Sequence, residues 1–119
     1  MDFNPQFKLT FTELHTEFDD QARKSVQVEN ILMVEWAEIE AIDPLEIING
    51  VQANELAITH LATIRFLPKI QRGMKCHRMT KMPDRSLVRE NFRVLSYQPL
   101  AQDNRYMRVQ LSLDTGTDD

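Results

Sequence analysis

Apolar and polar positions alternate with a period of two in several separate runs of this chain, the spacing that puts one face of a strand inside and the other in water. In "FKLTFTEL", Phe7, Leu9 and Phe11 fall on one face and Lys8, Thr10 and Thr12 on the other. "VQVENILMVEWAEIEAI" repeats the pattern, with Ala37, Ile39 and Ala41 opposed to Trp36, Glu38 and Glu40. In "ELAITHLATIRFLP", Ile58, His60, Ala62, Ile64 and Phe66 share a face before Pro68, which cannot donate to a ladder, stops the run. "GMKC" and "FRVLSYQPL" predict two shorter strands, and "RYMRVQLSL" sets Met107, Val109, Leu111 and Leu113 on one side.

Other stretches break the period. "DPLEIINGV" carries a helix-start signal: Asp43 as cap, Pro44 at the first helical position and Glu46 three residues after the cap. A short helix is therefore expected within residues 43–54, with Leu45, Ile48 and Ile47 as its docking face and Gly50 marking its end. "HTEFDDQARKS" predicts a long exposed loop, and "HRMTKMPDRSLVREN" (77–91) a protruding loop or an extended hairpin. "AQDN" predicts a turn and "DTGTDD" (114–119) a disordered tail. The expected fold is mainly β: a small, closed or nearly closed antiparallel barrel of about six strands with one short helix inserted and long protruding loops. A two-sheet sandwich is the next architecture.

At 119 residues the chain is expected to be one domain, with its core between residues 6 and 113. The sequence lacks a long apolar run and the basic-then-apolar order of a leader, so no membrane role and synthesis in a cytoplasm are expected. The formal net charge of -4 conceals a segregation. From Glu13 to Glu46 only Arg23 and Lys24 oppose many acids, whereas from Lys69 to Arg89 Asp84 alone opposes Arg72, Lys75, Arg78, Lys81, Arg85 and others. Three readings fit: a solvated surface, an acidic face of one copy meeting a basic face of the next, or a nucleic-acid surface. The second makes Glu38, Glu40, Asp43, Leu45, Ile48, Arg78, Lys81, Arg85 and Arg89 the candidate inter-subunit or partner residues.

Catalytic chemistry is not indicated. Cys76 is the single cysteine, so neither an internal disulfide nor a multi-cysteine zinc site is available. Cys76 and His77 are neighbours on a strand and point to opposite faces, which rules out a thiolate–imidazole pair. His15, His60 and His77 are scattered, and the three glycines form no phosphate loop. No cofactor and no metal are expected. The basic segment 69–89 lacks interleaved aromatic residues for stacking bases, and the pI near 5.3 opposes a free nucleic-acid binder.

Taken in order, these stretches resemble the phage head-tail joining proteins, also called head-closure or stopper proteins. The resemblance covers roughly residues 6–113. It lies in the opening strand "FKLTFTEL", the "EWAEIEAI" strand with Trp and Ala at its centre, the segment "PLEIINGVQANE", then "THLATIRFLPKIQRGMKC" and finally "FRVLSYQPLAQDNRYMRVQLSL". Two stretches depart from the family pattern. "TEFDDQARKS" lacks the glycine of the family's Asp-aromatic-Gly turn, and "HRMTKMPDRSLVREN" replaces a short turn around an Asp-Gly.

The resemblance implies a structural virion protein without catalysis, assembled in the bacterial host cytoplasm. Such a protein forms a homo-oligomeric ring at the head-tail connector, closes the head below the portal and adaptor after DNA packaging, and offers the docking surface for a tail terminator or tail-tube protein. Phage DNA passes through its channel without sequence-specific binding. The alternative is a small-barrel nucleic-acid-binding module that uses the basic 69–89 segment.

Overall fold

A computed structural model describes residues 3–48, 50–100 and 103–114. Six long strands are antiparallel to their neighbours: β1 (Phe7–Asp19), β2 (Lys24–Ala41), β5 (His60–Arg65), β6 (Lys75–Lys81), β7 (Leu87–Leu100) and β8 (Asp103–Asp114). They close a barrel in the order β1-β2-β5-β8-β7-β6. The alternation read from the sequence explains its inside. Leu9, Phe11, Ala37, Ala62, Ile64, Cys76, Phe92, Val94, Met107, Val109 and Leu111 form one buried cluster, to which Met33, Ile39 and Leu113 add from its margins. Ile70, 1 % exposed, comes from the loop after β5 and packs into the same cluster.

The ring is unevenly sealed. β7 and β8 pair along most of their length, from Asn91↔Asp114 to Leu100↔Asp103. The seam between β1 and β6 consists of Thr10↔His77, Phe11↔Cys76 and Thr12↔Lys75. A register shift between Phe11 and Thr12 marks the point where the β1–β2 hairpin leaves the barrel. The radius of gyration is 16.1 Å, well above the roughly 13–14 Å of a compact chain of this length, because part of the chain extends as ribbon rather than core.

Two expectations are corrected, and a third is decided between its two readings. The short helix over 43–54 is absent among the described residues. Asp43 does accept the Leu45 amide at 2.8 Å, but the next bond, from the Glu46 amide to the Asp43 carbonyl at 2.9 Å, closes a turn. Two-residue strands β3 (Ile47–Ile48) and β4 (Val51–Gln52) then pair with each other. The β-branched Ile47, Ile48 and Val51 favour this extended backbone, and Gly50 at φ 84° supplies the left-handed residue that a tight reversal needs. An Ala53 amide bond to the Glu46 carbonyl (2.8 Å) and complete burial of Ala53 anchor the excursion.

Second, "HTEFDDQARKS" is not a long loop: β1 continues to Asp19 and β2 begins at Lys24. The tip is a tight turn in which Asp19 Oδ1 accepts the Gln21 and Ala22 amides at 2.9 and 3.3 Å and Arg23 takes φ 52°. Third, of the two readings of 77–91 the extended hairpin is observed, β6 and β7 pairing from Lys75↔Arg93 to Lys81↔Leu87. The tail 115–119 and residues 101–102 of the "AQDN" turn lie outside the described residues.

Candidate functional site

The predicted site residues fall into three places. Glu38 and Glu40 lie on β2, where they pair with Thr63 and Leu61 of β5. Ala37 and Ile39, which alternate with them, face the core, so both carboxylates lie on the outer face. Neither carboxylate has an ion-pair or hydrogen-bond partner among the described residues. The same outer row continues toward the hairpin tip with Trp36, Val34 and Leu32, exposed at 53, 47 and 44 %. The Lys8 ammonium lies over the Trp36 ring, 5.3 Å from its centroid. Leu32, Val34 and Trp36 form an apolar outer surface that period-two alternation alone does not give; "ILMVEW" signals it, since apolar residues at consecutive positions must populate both faces of a strand.

Asp43, Leu45 and Ile48 lie in the turn and small hairpin after β2. Leu45 and Ile47 are 65 and 60 % exposed, whereas Ile48 is half-buried. No helix presents them together, and Leu45 stands on the turn that Asp43 closes.

The basic residues separate by strand parity. Arg78 points to the inner side of the β6–β7 hairpin, where its Nε donates to Glu90 Oε1 at 2.8 Å and its guanidinium lies 4.4 Å from the Phe7 ring centroid and 5.7 Å from that of Phe92. Thr80 donates to the same Glu90 oxygen at 2.7 Å. That hydrogen bond, followed by those and the charge of Arg78, holds the Glu90 carboxyl below its ordinary range. The Arg78 side chain is only 11 % exposed, which makes it a structural cation of the barrel end. Nearby, the His60 ring contacts Phe92 edge-on at 4.8 Å, and burial with the Arg78 charge disfavours its protonation.

On the outer side, Arg89 Nη2 donates to Glu29 Oε2 at 2.7 Å and Arg89 Nε to Asn91 Oδ1 at 2.8 Å. The bond from Arg89 lowers the Glu29 pKa. One acid of the acidic block thus meets one cation of the basic block within a single chain, and the contact ties the β1–β2 hairpin to β7. His77 lies beside this pair; burial, then the Arg89 charge, disfavours its protonation, and its Nδ1 is buried without a partner among the described residues. Lys81 and Arg85 sit at the end of the hairpin. Both are exposed, neither side chain has an ion-pair or hydrogen-bond partner among the described residues, and Arg85 adopts φ 70° in the turn that Asp84 closes on the Ser86 amide at 2.9 Å.

Cys76 and His77 point to opposite faces as expected. Cys76 is 2 % exposed in the core, and burial pushes its thiol up to about 12, far from a reactive thiolate. Of the nine predicted site residues, Glu38, Glu40, Asp43, Leu45, Lys81 and Arg85 are exposed or on the outer face and free to meet a partner, Ile48 is half-buried, and Arg78 and Arg89 are engaged internally. Neither a protein-family model nor a curated protein sequence matches this chain.

Proposed function

We propose that this protein is a structural component of a tailed phage or prophage, forming a ring at the head-tail connector that closes the head below the portal and adaptor and receives the tail. The observation that carries the reading is a set of charges left unsatisfied inside the chain: Glu38 and Glu40 on the outer face of β2, and Lys81 and Arg85 at the end of the β6–β7 hairpin. Opposite charges on separate elements are what a head-to-tail contact between copies uses, and such contacts close into rings when their rotation divides a full turn. The order of the strands and the resemblance to head-closure proteins support the same reading. In the assembled connector the ring lines a channel through which DNA passes without sequence readout, with portal and adaptor proteins above and a tail terminator or tail-tube protein below.

The experiment is charge reversal followed by light scattering on the eluting protein. Lys81→Glu with Arg85→Glu should shift the population from ring to subunit, and adding Glu38→Lys with Glu40→Lys should restore part of the assembly. Each exposed pair contributes only about 0–1 kcal/mol, so the effect accumulates around the ring. A quadruple variant no better assembled than either double variant removes this contact from the proposal. DNA binding by a persistent monomer, with a steep dependence on salt, would replace the ring by the nucleic-acid reading.

A further inference from the structure

Beyond the barrel, the β1–β2 hairpin is a two-stranded ribbon with both outer edges bare. β1 pairs with β6 only through Thr10, Phe11 and Thr12, and β2 pairs with β5 only from Glu38 to Ala41. Among the described residues, no backbone group of 13–19 or 24–36 bonds to anything outside the ribbon. No residue from 13 to 30 is buried. A two-stranded ribbon is marginal in water by itself, and unpaired edge groups are a template for another strand. Two of the usual edge protections are missing, since there is no proline and the register runs without a further shift from Thr12↔Ile31 to Asp19↔Lys24; the charges along the strands are Glu13, Glu17 and Glu29, with the lysine at the tip.

We infer that this ribbon is an edge-to-edge joint between copies of the chain, the β2 edge of one copy pairing antiparallel with the β1 edge of the next. The two edges suit each other because they belong to one hairpin. Ribbons that point the same way continue the order β1-β2-β1-β2, each new contact being antiparallel like the existing one. If the register within the ribbon is repeated between copies, Asp19 meets Lys24, Glu17 meets Val26 and Glu13 meets Asn30, so no two acids stand directly opposite. A two-fold contact of β2 on β2 would leave every β1 edge bare, whereas the head-to-tail contact satisfies both edges of every copy in a closed ring. The Glu29–Arg89 bond holds the ribbon by a side chain and occupies no edge. This inference goes beyond the connector reading, since it states how copies join and holds for a ring in any setting.

Thr16 and Gln27 face each other in the ladder, and opposed residues in antiparallel strands have Cα atoms roughly 4.5–5.5 Å apart, within disulfide reach. Full-length Thr16→Cys and full-length Gln27→Cys proteins are mixed and mildly oxidised across a concentration series, with light scattering on the same samples. A chain carrying one of the two cysteines has no partner for it in its own ribbon, and buried Cys76 does not compete. The expected result is a mixed disulfide dimer that dominates both self-dimers on non-reducing gels, at the concentrations where assembly is seen. Predominant self-dimers would replace the joint by a two-fold contact. Assembly without cross-linking would overturn the joint and leave the ring standing, and a monomer at every concentration would overturn both.

Discussion

Two hairpins leave the same barrel, and they are finished differently. The β6–β7 hairpin turns charged side chains inward, where Arg78 and Thr80 both donate to Glu90 and the Arg78 guanidinium lies against Phe7 and Phe92. The distal β1–β2 ribbon has no buried residue, and its polar bonds are exposed ones such as His15 with Asn30 and Glu17, both at 2.8 Å. The first hairpin belongs to the stability of the subunit. The second adds reach at little gain in stability, which leaves its surface available for contact with another molecule.

The sharpest way to break this contrast is to remove one phenylalanine from each side. Phe92→Ala empties a site that is 1 % exposed and should cost about 3–5 kcal/mol in urea unfolding. An intermediate effect is expected from Glu90→Ala, which leaves the Arg78 guanidinium mostly covered and without its carboxylate. With the pair partly screened by water, the loss should be about 1–3 kcal/mol. Phe18→Ala, at a position 64 % exposed on the ribbon, should stay within about 0.5 kcal/mol of the parent protein. A large loss at Phe18 would show that the ribbon stabilises the subunit after all.

Acid sharpens the comparison further. The Glu90 carboxyl titrates lower in the folded chain than its ordinary value of 4.5, so its contribution is fully present above that value and disappears as the pH falls through the lowered one. A Glu90→Gln variant should therefore lose less stability than the parent between about pH 5 and the acid end, measured as the shift in urea midpoint. Equal acid sensitivity of the two proteins would remove Glu90 from the account.

What could be read from the sequence follows from this contrast. Strands whose inner face is buried, such as the run with Ile58, His60, Ala62 and Ile64, announce themselves because water and core impose opposite chemistry on alternate residues. The ribbon has no buried face, so nothing in "HTEFDDQARKS" has to alternate and the stretch reads as loop. Asp43 and Pro44 mislead for another reason: an aspartate that accepts an amide two residues on serves a turn as well as a helix start. The outward-facing acids Glu38 and Glu40 are legible from their strand parity. The engagement of Arg78 with Glu90 was not, because it depends on the β6–β7 register that sets them opposite each other, nor was that of Arg89 with Glu29, which stand 60 residues apart and are brought together only by the fold.

The short seam between β1 and β6 also sets an order of events during synthesis. The β1–β2 hairpin is local and can form early, yet Phe11 and Thr12 find Cys76 and Lys75 only after more than half the chain has followed. At ribosomal rates of roughly 5–20 residues per second, that delay is on the order of 3–13 s. During it, the core-facing side chains Leu9 and Phe11 have no barrel to enter, and the newborn hairpin offers bare edges to any neighbouring nascent chain. Closing such distant contacts is slow in its own right. The interval before β6, β7 and β8 arrive is therefore when this protein is most exposed to aggregation, and a chaperone that covers the first hairpin should raise the yield of folded subunit more than one that acts after release.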